Sequence, residues 1–166
     1  MTKQTKRAGF TTLTSKFPKA TLPIELTPDT FREFEKKNKP LSQDSILQFL
    51  LEEGEAMDEF TEFIPCFRLP DAKEFHGFVY WQAGLMEYHY WLAIFDKKGN
   101  FVEKKRIAGT ISAESSFKVT VAAITSSWQI EVKEGESAQN TKNLTPTSFS
   151  QHHIINISLT GAMSEF

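Results

Sequence analysis

The 166-residue chain has a single cysteine, no two adjacent glycines and no long apolar run, and each shortage removes a class of protein. Cys66 alone cannot close an intrachain disulfide or supply a zinc site built on several thiolates. Its neighbours Ile64, Pro65 and Phe67 predict a buried, inert thiol. The eight glycines stand singly, so there is no Gly-x-Gly-x-x-Gly or Gly-Lys-Ser/Thr loop for a phosphate and no Gly-x-Ser-x-Gly elbow for a nucleophile. No run reaches the about 18 apolar residues that span a bilayer. The basic start also lacks the apolar segment of a secretory signal. The expectation is a cytoplasmic protein without membrane contact and without a cofactor.

Charge of one sign is scarce too. The net charge of −2 and the pI near 6.1 lack the basic excess of a dedicated nucleic-acid binder. Locally the balance is uneven. Lys3, Lys6, Arg7, Lys16 and Lys19 precede any acid, whereas Glu52, Glu53, Glu55, Asp58, Glu59 and Glu62 crowd together without the ligand order of a calcium loop. The four histidines, His76, His89, His152 and His153, have no metal-ligand spacing, and no metal is expected.

What the sequence does have is phenylalanine, fifteen in all, in patterns that change along the chain. Residues 1–22 read as a flexible basic arm, and residues 23–166 as a single α+β domain with a polar loop at 137–151. Thr27 as N-cap and Pro28 at the first helical position predict a short helix through Asn38, with Phe31 and Phe34 on its apolar edge. Ser42 caps a second helix carrying Ile46, Leu47, Phe49, Leu50 and Leu51, with Gly54 as its stop. From Phe60 onward the period becomes that of strands, and short Gly-, Asn- and Asp-containing connections favour antiparallel neighbours. The fold class is α+β, mainly antiparallel β: two N-terminal helices packed on a six- to seven-stranded β-meander, as an open sheet, a sandwich or a partial barrel.

One hairpin register follows from DKKGN. A type I turn closed by Gly99 in the left-handed region pairs Asp96 with Asn100. Counting outward sets Ile94, Leu92, Tyr90 and Tyr88 against Val102, Lys104, Arg106 and Ala108 on one face. Phe95, Ala93, Trp91 and His89 then oppose Phe101, Glu103, Lys105 and Ile107 on the other. Neither face is polar throughout, so both are covered in part. If Ala83 and Gly84 form the preceding turn, His76 faces Trp91, diagonal to His89, and Glu87 lies beside His89 on the same face.

Three functions can be built on these positions. The leading one is a non-catalytic interaction module that presents Tyr80, Tyr88, Tyr90, Trp91, Lys104 and Arg106 to a protein partner, as an inhibitor or immunity-like protein would, because aromatics and arginine anchor interfaces. The second is a small-ligand carrier with an aromatic-lined cavity. The third is an enzyme in which Glu87, His89 and His76 form a titratable cluster.

Overall fold

In a computed structural model the described residues are 3–51, 55, 57–138 and 143–166, with side chains from residue 7 onward. They form α1 (Lys3–Ser15), β1 (Ile24–Leu26), α2 (Phe31–Lys37), α3 (Gln43–Ser45), a π-helical turn (Ile46–Leu50), β2 (Glu62–Arg68), β3 (Phe75–Ala83), β4 (Glu87–Asp96), β5 (Phe101–Ser112), β6 (Ser116–Ser126), β7 (Gln129–Ala138), β8 (Gln151–Ile157) and β9 (Met163–Glu165). Strands β2 to β9 follow one another in an antiparallel meander, and β1 pairs with β6. The sheet is open, since β2 and β9 are not hydrogen-bonded to one another.

The sheet bends sharply at Gly109. Residues 101–108 of β5 pair only with β4, and pairing with β6 begins at Gly109↔Thr120. Beyond that corner the edge of β6 is taken by β1, with Ile24 opposite Ile124. The later strands therefore curl over the earlier ones. Trp128 packs edge-on against Phe75, the Met163 amide donates to the Glu103 carboxylate at 2.9 Å, and Lys105 pairs with Glu165 at 3.0 Å. Val79, Trp81, Tyr90, Leu92 and Ile94 meet Ala122, Ile124, Ile130, Val132 and Ile155 in the enclosed core.

A second core lies on the opposite face of β3 and β4, where Phe78, Tyr80, Ala93 and Phe95 meet Phe10, Leu13, Phe17, Ile46, Phe49 and Leu50. Burial on both faces explains why these two strands show so little polar alternation. It also explains α1. The segment expected to be a flexible arm is helical here, because Phe10, Leu13 and Phe17 fall on one stripe and the sheet supplies the surface that buries them.

Two further differences concern helix ends. Thr27 to Thr30 form a turn, and α2 begins only at Phe31, with Thr30 rather than Thr27 at its N-cap position. Ser42 does cap α3, its hydroxyl accepting from the Ser45 amide at 3.1 Å. The chain then widens into a π-turn closed by the Leu51 amide on the Ile46 carbonyl, which leaves Leu47 52% exposed instead of on the apolar stripe. The expected stop at Gly54 and the acids Glu52 and Glu53 lie outside the described residues.

The DKKGN turn forms as expected. Gly99 has φ +86°, the Asp96 amide donates to the Asn100 carbonyl at 2.9 Å, and Phe95 faces Phe101. The register does not persist. A bulge between Ile94 and Phe95 and another between Tyr90 and Trp91 each advance β5 by one residue. Ile94 therefore faces Glu103 rather than Val102, Leu92 faces Lys105, Ala93 faces Lys104, and Trp91 faces Arg106. These bulges let β5 turn the corner at Gly109 while Ile107 and Ala108 stay in the core. The β3–β4 turn is also longer than two residues: Ala83 pairs with Tyr88 across Gly84, Leu85, Met86 and Glu87, so His76 faces Phe95.

The polar segment at 137–151 is described from residue 143. Residues 144–150 run back along β7, where the Ser137 hydroxyl donates to the Leu144 carbonyl and the Ser150 amide to the Glu134 carbonyl at 2.8 Å.

Candidate functional site

The six aromatic and basic positions singled out for a partner do not share a surface. Tyr80 is fully buried against the π-turn. Tyr90 is buried on the other face, its hydroxyl donating to the Thr27 carbonyl at 2.9 Å, and burial pushes its phenol well above the usual range. Trp91 lies on the helix-covered face with the Lys104 ammonium 4.6 Å from its ring centroid, and Lys104 is paired with Glu55 at 3.0 Å. Arg106 stands opposite Trp91 and is half-buried. Tyr88 alone is open, at 40% exposure. Alternation sets Tyr90 and Trp91 on opposite faces, and the bulge at Ile94 and Phe95 moves Lys104 and Arg106 from the Tyr90 face to the Trp91 face.

The titratable cluster is divided as well. His89 Nε2 and the Glu87 carboxylate are 2.9 Å apart, and the imidazole meets the Trp91 ring edge-on. His76 is six positions along β3 from Gln82, the residue opposite His89, which is about 20 Å at the rise of a strand. It sits instead under the Phe10 ring, 5.1 Å between centroids. Burial lowers its pKa below the ordinary histidine value, and Lys97 and Arg68 lower it further, against Asp96. His153 is 3.6 Å from Glu165. Among the described residues no three His, Cys, Asp or Glu side chains converge as a metal site.

What the fold does build, at the mouth between the curled halves of the sheet, is an aromatic cleft of about 360 Å³. Phe31, at the first position of α2, stacks on Trp81 with centroids 4.1 Å apart and planes 3° from parallel. Tyr88 lies parallel to the same indole at 5.6 Å, and the Arg32 guanidinium covers Phe31 at 5.2 Å. The result is a series of four flat groups in contact, in which Trp81 is 5% exposed and Tyr88 40% exposed. Tyr90 floors the cleft, Gly109 and Thr110 form one wall, and Leu144 approaches from the β7–β8 connection. The rim is ionic: Asp29, bonded to Arg32 at 3.6 Å, and the exposed Glu62.

Backbone chemistry fixes this arrangement. Asn38, at the end of α2, donates from Nδ2 to the carbonyls of Pro65 and Cys66 at 2.7 and 2.9 Å, on β2 at a bulge. The Tyr90 hydroxyl holds the Thr27 end of the same segment. The helix that carries Phe31 is thus tied down at both ends. Cys66 lies sealed beneath it, and burial pushes its thiol up, away from the reactive thiolate.

Phe31, Arg32, Trp81 and Thr110 were absent from the candidate positions. Of these only Trp81 has a signal in the sequence: alternation sets it on one face with Tyr88, its diagonal neighbour once Ala83 is paired with Tyr88. No signal brings Phe31 to them, because that contact crosses fifty residues of chain.

No known protein family, no curated protein and no solved structure matches the chain.

Proposed function

We propose that the chain is a non-catalytic binding protein that takes a small, flat organic molecule in the cleft of Phe31, Trp81, Tyr88 and Tyr90. The observation that carries this reading is the aromatic series, whose last member, Tyr88, is 40% exposed. The volume lies at the small end of the about 300–1,000 Å³ usual for ligand sites. A planar ligand would extend the stack on Tyr88, a contact worth about 0.5–1.5 kcal/mol beyond the area it buries. Two carboxylates, Asp29 and Glu62, stand against one guanidinium already bonded to Asp29, so the rim favours a ligand with a cationic end. The division of Tyr80, Tyr90, Trp91, Lys104 and Arg106 between two faces favours this small-ligand reading over a flat patch for a protein partner. The separation of His76 from Glu87 and His89 likewise gives the catalytic reading less support.

Indole, tryptamine and indole-3-acetate make a graded set of probes. Amide and indole N–H spectra should show tryptamine perturbing Trp81 and Tyr88, with indole-3-acetate the weakest of the three. Tyr88→Ala should weaken tryptamine about tenfold, in keeping with the loss of one stacking face. Shifts that avoid the cleft, or an unchanged affinity in Tyr88→Ala, would count against the proposal.

A further inference from the structure

The far end of the molecule carries a different kind of concavity. Between the second half of α1, the end of β2 and the β4–β5 turn lies an open hollow of about 650 Å³, into which Arg7, Arg68, Lys97 and Lys98 project around His76. A second hollow of about 310 Å³ adjoins it, shares Thr14, Arg68 and His76, and adds Lys19. Among the described residues no aspartate or glutamate lines either one.

The cations there are weakly compensated, with Asp96 acting on Lys98. Among the described residues none of Arg7, Lys19, Arg68, Lys97 and Lys98 makes an ion pair, although the chain as a whole is acidic. Asp96 is the nearest acid to affect His76, but its oxygens are already committed to the Lys98 and Asn100 amides and the Asn100 side chain. Arg68 is the most telling member. It is half-buried, and its backbone is held on one side by β3 and on the other by the Pro18 carbonyl and the Ala20 amide. Its guanidinium reaches only the Phe17 carbonyl, at 3.4 Å. Partial burial takes water from its donors, and an anion in the hollow would replace it. The hydroxyls of Thr11, Thr14 and Ser15 donate to carbonyls of their own helix, so the attraction for a ligand comes from the cations.

Five fixed positive charges from four separate segments around one concavity, with no acid among them, match an anion that carries several charges. Oligophosphates have that character, and the forked donors of arginine suit their oxygens. We infer that these joined hollows bind a small oligophosphate, with Arg68 and Arg7 as the principal donors and Lys19, Lys97 and Lys98 at the rim. The site is independent of the aromatic cleft, and the two readings stand or fall separately.

Titration calorimetry of the full chain with sodium tripolyphosphate at about 0.1 M salt, where distant charges are screened, tests this. Binding is expected to shift the His76 ring resonances. The exposed-turn variant Lys97→Gln/Lys98→Gln should weaken it about tenfold or more, as the loss of two nearby charges requires. Lys36→Gln/Lys37→Gln, which removes two cations from α2, should leave it unchanged, as should Tyr88→Ala. A parallel titration with ATP distinguishes the free oligophosphate from a nucleoside-linked one: tighter binding of ATP points to the latter, and equal or weaker binding to the former. No heat with tripolyphosphate, an unmoved His76 ring, or equal losses in the two lysine pairs overturns the inference.

Discussion

Replacing Gly109 with alanine should damage this fold more than any other single methyl group added to the meander. A Cβ built there would lie 2.3 Å from the Tyr88 carbonyl oxygen and 3.2 Å from both Cα and Nδ1 of His89. Gly109 also has φ +156°, which side-chain-bearing residues rarely adopt. The obstacle is backbone rather than a pliable side chain, and that backbone is fixed, since Tyr88 pairs with Thr110 on one side and Ala83 on the other. The carbonyl must retreat by about 1 Å to reach ordinary contact distance. Strain from the dihedral costs about 1–3 kcal/mol. Overpacking adds about 1–3 kcal/mol. A combined loss of about 4 kcal/mol is a large share of the about 5–15 kcal/mol that holds a typical domain together. At about 2–4 °C per kcal/mol for a chain of this size, the melting temperature should fall about 8–16 °C. Gly84→Ala is the matched control, because its Cβ would meet only the Glu87 carbonyl at 3.8 Å; it should change stability by less than about 0.5 kcal/mol. Urea unfolding followed by circular dichroism measures both. A loss below about 1 kcal/mol in Gly109→Ala, with the native spectrum retained, would refute the idea that the corner depends on this close approach.

Leu13→Ala should cost about 2–5 kcal/mol in the same assay, as for other core leucines, because Leu13 is completely buried although it lies in the chain's first fifteen residues; a near-neutral result would mean that α1 is not docked. The pH dependence of stability should carry a component from His76. Burial first, and then Lys97 and Arg68, hold its folded pKa below the ordinary 6.5, so on acidification the unfolded chain takes up the proton first. Stability should therefore decline as the pH falls from about 6.5 toward the folded value and level off below it, and His76→Gln should remove that decline. The carboxylates with lowered pKa, Asp58, Asp96 and Glu165, lose their contribution only at more acid pH, in a separate window.

The strands of the meander were legible because their period and turn residues are local. Six to seven were expected from alternation, and the sheet has nine among the described residues. The two that were missed, Ile24–Leu26 and Met163–Glu165, are three residues each, too short for a period to register, and exist because distant strands offer them an edge. The DKKGN turn was readable from Gly99 alone. The bulges beyond it were not, since what requires them is a corner several residues away. The same limit governs α1. Phe10 and Leu13 make a thin stripe by themselves, and only the packing of Phe10 against His76, Phe78, Phe95 and Gly99 makes it sufficient. Of the candidate site, Tyr88 and Tyr90 are named for their chemistry, while Trp81 is displaced by a turn centred two residues too early and Phe31 arrives only by a contact between remote segments.

The pairing of β1 with β6 has a consequence in time as well as space. Ile24 emerges from a ribosome about a hundred residues before Ile124, the strand position it will occupy. The hairpins from β2 to β5 close over short loops and can form as they appear, whereas β1 must wait, unpaired, until β6 has been made. Through that interval Leu26, Phe31 and the apolar edge of α2 have no completed mouth to enter. The segment that ties the cleft together is therefore synthesised before the strands it joins and is among the last to be secured. A nascent chain stalled before Thr120 should expose it to proteases that the finished protein excludes.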